Sequence, residues 1–397
     1  MRKGNRAFFE HQLLDAIRAN LKGLYANSLR VVREQGRFLI ENTEGDLDTD
    51  AVLPRIKHIF GIAGFCHAVK TSAREIDELC VIGRDFFMSC FPSLANLTEQ
   101  PSKQPSFRVE TKRSDKNYPL LSTEISARIG DAIFTAGLGL KVELYKPDIT
   151  LWVEIRNHVY FYINSETGEG GLPYGASGKG ILLLSGGFDS PVAGFLAARR
   201  GVQIVAVYFH SPPFVSERAA DKVRDLAREL AKYTGRVILH IIPFTEIQLF
   251  LKENVSEQKL TIMLKRAMLH IAQKLADAEN ALCLITGDSV GQVASQTIHS
   301  LAAVESAVSL PILRPLATMD KQSILDIAAK IGTHDISVRP YEDCCTVFVA
   351  KHPENKPNAA AIEKAEARYF AALAPLMDNA LKNAEICDLI IATPINS

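Results

Sequence analysis

Residues 185–190 read Ser-Gly-Gly-Phe-Asp-Ser, directly after the apolar run Ile181–Leu184 and before Pro191. Gly186 and Gly187 let the backbone come close to an oxyanion. A helix opening at this turn aims free N–H groups and its positive dipole end at the same point. Ser190 suits the N-cap, Pro191 the first helical residue and Gly201 the C′ position. The chemistry is that of a phosphate or pyrophosphate cradle. Thr286–Thr297 is a second polar, glycine-containing stretch after an apolar strand, able to approach a nucleotide and supply amide donors. Lys321, behind Asp320 at a helix start, could place positive charge on a leaving phosphoryl group. Cys344 and Cys345 are adjacent and ill-placed to pair with each other, so one of them is a candidate working thiol, with ordinary burial as the alternative. Arg108, Lys112, Arg113 and Lys116 form a short basic cluster beside Tyr118. Phosphate contacts plus one stacking ring suit an RNA backbone, though such a run is more often a solvated edge.

These residues need elements to hold them. After residue 180, continuous apolar, β-branched runs at 202–209, 237–242 and 281–286 alternate with helical patterns near 216–233, 256–278 (capped by Ser256), 291–303 and 320–331. That alternation predicts a parallel sheet covered on both faces, with ligands at the C-terminal strand ends. The Ser185–Ser190 turn, Tyr208-Phe209-His210 and Gly287-Asp288-Ser289 all fall at such ends. Helices near 7–22, 73–88 and 122–136, with alternating segments at 29–40 and 107–112, predict smaller α+β units before it. A Pro/Ser-rich turn at 98–106 and the glycine-dense 166–175 stretch break the chain.

The 397 residues are too many for one ordinary domain, and 47% hydrophobic with 23% charged residues is an ordinary globular composition. Lys+Arg and Asp+Glu both number 45, so nucleic-acid binding must come from a local patch. No apolar run is long enough to span a membrane, and the N-terminus lacks a signal-peptide core. The seven cysteines include no Cys-x-x-Cys pair, so neither a zinc site nor a disulfide framework is expected, and a cytoplasmic location fits.

The 185–190 loop lacks the Lys-Ser/Thr ending of a Walker loop and is not Gly-x-Gly-x-x-Gly. It resembles the pyrophosphatase loop of enzymes that split ATP into AMP and pyrophosphate. With Leu264-Lys265-Arg266-Ala-Met268, Thr286–Thr297, Ile312–Leu316, Asp320-Lys321, Ile331-Gly-Thr333 and Glu342-Asp-Cys-Cys345, the chain resembles the tRNA 4-thiouridine synthetase family, the tRNA uridine 4-sulfurtransferases, in their form without a rhodanese domain. The resemblance covers nearly the whole chain. It implies a ferredoxin-like domain over 1–70, a THUMP RNA-binding domain over 71–172, and an α/β parallel-sheet PP-loop ATP pyrophosphatase domain, of the adenine nucleotide alpha hydrolase type, over 173–397. Met1 lies just before Lys3-Gly4-Asn5-Arg6, so the first ferredoxin-like strand is expected to be absent.

The same resemblance implies that ATP adenylates the C4 oxygen of uridine 8 of tRNA, and that a persulfide then delivers sulfur to C4. It assigns ATP contacts to Leu183, Leu184, Ser185, Gly186, Gly187, Ser190, Tyr208, Phe209, Lys265, Gly287 and Gln296. Asp189 and Lys321 would serve adenylation, Asp189 through Mg2+ or positioning. Cys344 would carry the persulfide, with Cys345 the alternative, and Arg108, Lys112, Arg113 and Lys116 would contact tRNA. Asp288 stands where the family more often has Glu. About fifty residues follow Cys345, too few for a rhodanese domain, so a cysteine desulfurase is the expected sulfur donor. A thiamine sulfur-carrier protein and a second copy of the chain are further implied partners. Two other readings stay open: another PP-loop adenylating enzyme acting on RNA or a small metabolite, which would not need the 344–345 thiols, and a catalytically silent RNA-binding protein, which would not need Asp189 or Lys321.

Overall fold

The computed structural model describes residues 5–25, 28–34, 36–92, 104–163, 165–293, 296–341, 354 and 356–390. Met1–Gly4, the expected thiols Cys344 and Cys345, and part of the 98–106 turn lie outside these residues. The chain forms two compact units, one of residues 1–62 with 169–397 and one of residues 63–168.

In the first unit the N-terminal segment runs α1 (Arg6–Leu21), β1 (Leu29–Glu34), β2 (Arg37–Asn42) and α2 (Thr49–Ile56). Strands β1 and β2 form an antiparallel hairpin, with Gly36 at φ +84° in its turn. Asp48 caps α2 by accepting from the Asp50 and Ala51 N–H groups. Among the described residues α1 is the first element and this sheet has two strands. Phe60 is buried against Phe195 and Tyr233, with ring centroids 5.4 and 6.0 Å away.

The second unit contains β3 (Gly64–Phe65), β4 (Ala68–Thr71), α3 (Ile76–Cys90), β5 (Ser106–Arg113), α4 (Ser122–Phe134), β6 (Lys141–Val142), β7 (Ile149–Ile155), β8 (Val159–Ile163) and β9 (Glu166–Thr167). Its main sheet has the order β4-β8-β7-β5-β6, with β5 parallel to β6 and β7. Leu79 and Phe87 of α3 and Ile125 and Ile129 of α4 pack with Leu151, Val153 and Phe161 in one core.

The rest of the first unit comprises β10 (Lys179–Leu183), α5 (Asp189–Arg199), β11 (Gln203–His210), α6 (Glu217–Thr234), β12 (Arg236–Pro243), α7 (Thr245–Asn254), α8 (Glu257–Glu279), β13 (Cys283–Ile285), α9 (Ile298–Glu305), β14 (Ile312–Leu313), α10 (Lys321–Lys330), α11 (His334–Ser337), α12 (Ala359–Ala367), α13 (Phe370–Lys382) and β15 (Glu385–Ile390). The sheet order is β14-β13-β10-β11-β12-β15. All neighbours pair parallel except β12 and β15. Alternation along β11 explains its unbroken apolar run. Val205, Val207 and Phe209 enter one core with α8, while Ile204, Ala206 and Tyr208 enter the other with α5 and α6.

One local expectation is corrected. The 290s helix begins only at Ile298, where the Thr297 hydroxyl accepts from the Ser300 N–H, so residues 291–293 are loop. The segment around Cys387 is the antiparallel edge strand β15, with Cys387 and Leu389 packed against the core and Ile386 exposed. Its register is pinned by Arg224 on Glu385 and by Arg236 on Asp388.

Candidate functional site

Strand β10 is buried over residues 180–182 and delivers Leu183 and Leu184 to the sheet's C-terminal edge. The loop after it turns straight into α5, whose first helical residue is Asp189, with Phe188 in the cap position. Ser190 is therefore not the N-cap: it lies inside the first turn, and its hydroxyl reaches back to close the loop. It accepts from the Ser185 N–H at 2.8 Å and lies 3.1 Å from the Ser185 hydroxyl. Pro191 still fits, because first-turn N–H groups have no helical partner. Gly201 has φ +85° after the helix, as its C′ assignment requires. The loop is backed by α11, where the Ser337 hydroxyl donates to the Gly187 carbonyl and the His334 ring lies 5.4 Å from that of Phe188.

A cavity of about 270 Å³ opens between this loop, the end of β11, α8 and the loop after β13. Leu183, Leu184, Ser185 and Ser190 line it from the first loop, and Tyr208 and Phe209 from β11. Lys265, Gly287 and Gln296, also expected from the resemblance, line it as well, and Asp189 lies at the same wall. Gly186 and Gly187 belong to the loop without lining the cavity. Gly287 is in van der Waals contact with the loop: an added Cβ would stand 2.7 Å from the Ser190 nitrogen and 2.8 Å from the Asp189 carbonyl carbon.

Burial pushes the Asp189 carboxyl above its ordinary range, the Gln292 hydrogen bond and the Lys321 charge pull it back, and the Asp288 charge pushes it up again. The Gln292 amide nitrogen lies 3.4 and 3.3 Å from the two Asp189 oxygens. Lys321 is the first residue of α10 and acts on Asp189 through its field; it does not line the cavity. Asp320 caps that helix by accepting from the Ser323 N–H.

Beside Gly287, Asp288 gathers a polar cluster that no spacing in the sequence announces. Lys265 Nζ and Gln296 Nε2 lie 3.3 and 3.4 Å from its Oδ1. The Thr286 hydroxyl donates to Oδ2 at 2.9 Å, and Arg314 Nε lies 3.9 Å from the same oxygen. Burial alone would raise the Asp288 carboxyl, but Lys265, the Thr286 hydroxyl and Arg314 outweigh it and hold it below the ordinary range. In the sequence Thr286 and Arg314 stand out only as members of the motifs, and Asp288 only as a departure from the family's commoner Glu. Met268, Leu269, Val304 and Ile312 also line the cavity, and nothing separates them in sequence from ordinary core residues.

The basic cluster lies in the second unit. Arg108 and Lys112 share a face of β5, as alternation predicts, but Arg108 is engaged with Glu110 and the Leu144 carbonyl. Arg113 donates to the carbonyls of Tyr118 and Leu120, each at 2.7 Å. Tyr118 is 5% exposed and belongs to the core, so it offers no stacking face; its hydroxyl donates to the Arg74 carbonyl. Lys112 and Lys116 are exposed. No cluster of three or more metal-ligating side chains exists among the described residues, and no described helix is long and apolar enough to cross a membrane.

Family models match along the chain: the ThiI ferredoxin-like domain over residues 1–66, the THUMP domain over 93–164, and the thiamine biosynthesis protein ThiI over 175–370. The chain is 42% identical over 382 residues to a probable tRNA sulfurtransferase of Agathobacter rectalis, covering 96% of this chain and 94% of that one. It is 44% identical over 362 residues to a protein of the same description from a Thermoanaerobacter species, covering 91% and 90%. A crystal structure of a 4-thiouridine synthetase–RNA complex with bound ATP superposes with a TM-score of 0.87 at 35% identity, covering 98% of this chain and 96% of that one. A Pyrococcus horikoshii protein shares the fold, with a TM-score of 0.62 at 21% identity over 83% of this chain and 95% of that one.

Proposed function

This chain belongs to the ThiI family of tRNA sulfurtransferases, and from that premise we propose how its site works. The substrates are ATP and tRNA, and the product is 4-thiouridine at position 8. One observation carries the reading most directly: nine of the residues expected to touch ATP, Leu183, Leu184, Ser185, Ser190, Tyr208, Phe209, Lys265, Gly287 and Gln296, line a single cavity under the glycine loop.

The C4 oxygen of the uridine attacks the α-phosphorus of ATP and pyrophosphate leaves. The α5 N-terminus and the loop N–H groups hold the phosphates, and Lys321 offsets the charge that develops on the leaving group. Adenylation turns a poor leaving oxygen into AMP. The terminal sulfur of a persulfide on Cys344 then bonds to C4 as the C4–O bond to AMP breaks. A thiol cleaves the remaining S–S bond, taking the Cys344 sulfur into a new disulfide and leaving sulfur on the base. Cys345 is the alternative carrier. Mg2+ fits the site, since one half-buried carboxylate, Asp189, beside a phosphate loop is the donor set expected for an ion that keeps waters and phosphate oxygens as its other ligands. Bound there, it would supply positive charge to the phosphates.

Exposed Lys112 and Lys116, with Arg108 and Arg113, belong to the tRNA-facing part of this reading. The family resemblance supports a cysteine desulfurase as persulfide donor, a thiamine sulfur-carrier protein as a second acceptor, a homodimer and a cytoplasmic location. The test is paired. Purified protein with ATP, Mg2+, tRNA, a desulfurase and cysteine should release pyrophosphate and yield 4-thiouridine by nucleoside mass spectrometry. Cys344→Ser should still release pyrophosphate but form no 4-thiouridine, with Cys345→Ser milder; swapped phenotypes would make Cys345 the carrier. Normal product from both variants would remove the persulfide from the mechanism.

A further inference from the structure

We propose that Asp288 is a positioning residue that sets nucleotide selectivity, by fixing the Gln296 amide so that its oxygen reads a hydrogen-bond donor of the bound nucleotide. The inference rests on the cavity taking ATP. Asp288 is an unexpected residue in a cavity meant for a polyanion: a bare carboxylate would repel the phosphates. Its neighbours remove the difficulty. Each oxygen faces two donors, Lys265 and Gln296 on Oδ1, Thr286 and Arg314 on Oδ2. With its lone pairs so directed, Asp288 acts through these side chains and does not need to touch the ligand.

The consequence falls on Gln296. Its backbone is held on both sides, donating to the Val293 carbonyl at 2.9 Å and accepting from the Gly291 N–H at 3.0 Å. Its side-chain nitrogen faces the carboxylate. The opposite amide orientation would set two acceptors against each other. The nitrogen is therefore committed to Asp288, and Oε1 is left as a buried acceptor that receives no hydrogen bond in the structure, on a side chain that lines the cavity. A buried acceptor without a partner is costly, and a ligand N–H or O–H removes that cost. ATP offers such donors only at the exocyclic amine of adenine and at its ribose hydroxyls. The phosphates offer none. A site that hydrogen-bonds a substrate group rejects the analogue lacking it far better than an apolar wall does.

The experiment is calorimetric titration of the full chain with the non-hydrolysable β,γ-imido analogue of ATP, and with its inosine, 2′-deoxy and 3′-deoxy counterparts. Wild type should bind the adenosine form more tightly than whichever analogue lacks or replaces the donor, and that analogue identifies the donor. Asp288→Asn should lose about tenfold in affinity for the adenosine form, the scale of one charge-assisted contact. It should also lose most of the discrimination, because an amide at 288 no longer dictates the orientation of Gln296. Asp288→Glu, which keeps the charge, should restore both. Gln296→Met, close in shape but without the acceptor, should abolish the discrimination with an unchanged melting temperature. Equal affinity of wild type for all four nucleotides would overturn the inference. So would an Asp288→Asn variant that weakens all four equally, which is what a merely structural role produces. A wild-type chain that binds none of them would overturn the reading of the cavity itself, so the two failures are distinguishable.

Discussion

Burial raises the Asp189 carboxyl, against the partial relief offered by Gln292 and Lys321, and this sets its activity against its stability. A carboxyl whose folded-state pKa exceeds its unfolded value binds its proton more tightly in the folded chain. Stability then falls as pH rises from the ordinary aspartate range through the raised value. Asp189→Asn removes that penalty. At pH 7 the variant should melt at or above the wild-type temperature while releasing no pyrophosphate, and the gap between the two melting temperatures should close at acid pH. A variant that melts well below wild type would make Asp189 a structural residue. Gly287 makes a steric prediction. A methyl group there meets backbone atoms of the loop at 2.7 and 2.8 Å, which cannot rotate away as a side chain can. Gly287→Ala should keep its circular dichroism spectrum but lose ATP affinity by roughly 1–3 kcal/mol, the usual cost of overpacking, read by calorimetry.

Among the helices, α8 contributes three residues to the cavity wall. Lys265, Met268 and Leu269 are spaced i, i+3 and i+4, so they share one face. On another side of the helix, Arg266 is 2% exposed and is held by Glu366 of α12 at 2.5 Å and by the Ala303 carbonyl of α9 at 2.5 Å. His270, one turn on, lies 3.1 Å from the other Glu366 oxygen. Burial alone would raise the Glu366 carboxyl, but the His270 and Arg266 hydrogen bonds and charges hold it below the ordinary glutamate range. A depressed carboxyl contributes stability above its unfolded pKa and loses it as pH falls through the folded value. Glu366→Ala should therefore destabilise the chain by about 3–5 kcal/mol at pH 7, since it leaves a buried guanidinium uncompensated. Urea unfolding should show this loss shrinking on acidification. A change below about 1 kcal/mol, typical of an exposed pair, would contradict the clamp.

At the scale of the whole molecule, the cavity proposed to take ATP lies in one compact unit and the basic β5 cluster in the other. Substitutions in the two should separate. Lys112→Ala with Lys116→Ala should weaken tRNA binding and reduce its salt dependence by roughly 0.7–0.9 log units of slope per lost phosphate contact, without changing ATP affinity. Arg113→Ala should behave differently. Its guanidinium ties the turn at 118–120 to β5 through two carbonyls, so it should lower the unit's melting temperature as well. An unchanged salt slope in the double lysine variant would return those residues to a solvated face.

The sequence by itself determined the strands and the loop, because both leave local marks. Val205 and Val207 face one core while Ile204 and Ala206 face the other, so burial on two sides keeps the middle of the strand apolar and leaves Gln203 and His210 to its ends. The Ser185–Ser190 turn is legible because glycine and a helix start are requirements of the backbone. Through the family resemblance, sequence also named Leu183, Leu184, Ser185, Asp189, Ser190, Tyr208, Phe209, Lys265, Gly287 and Gln296, which the fold gathers around one cavity. Tertiary structure alone decided the rest. Gln292 meets Asp189 across 103 residues, and Asp288 gathers Lys265, Gln296 and Arg314 from three separate segments. Tyr118 turns inward and Ser190 closes a loop instead of capping a helix. Chain spacing reports periodicity over a turn or two; which side chains meet across the sheet follows from the strand order β14-β13-β10-β11-β12-β15, and no local pattern encodes that order.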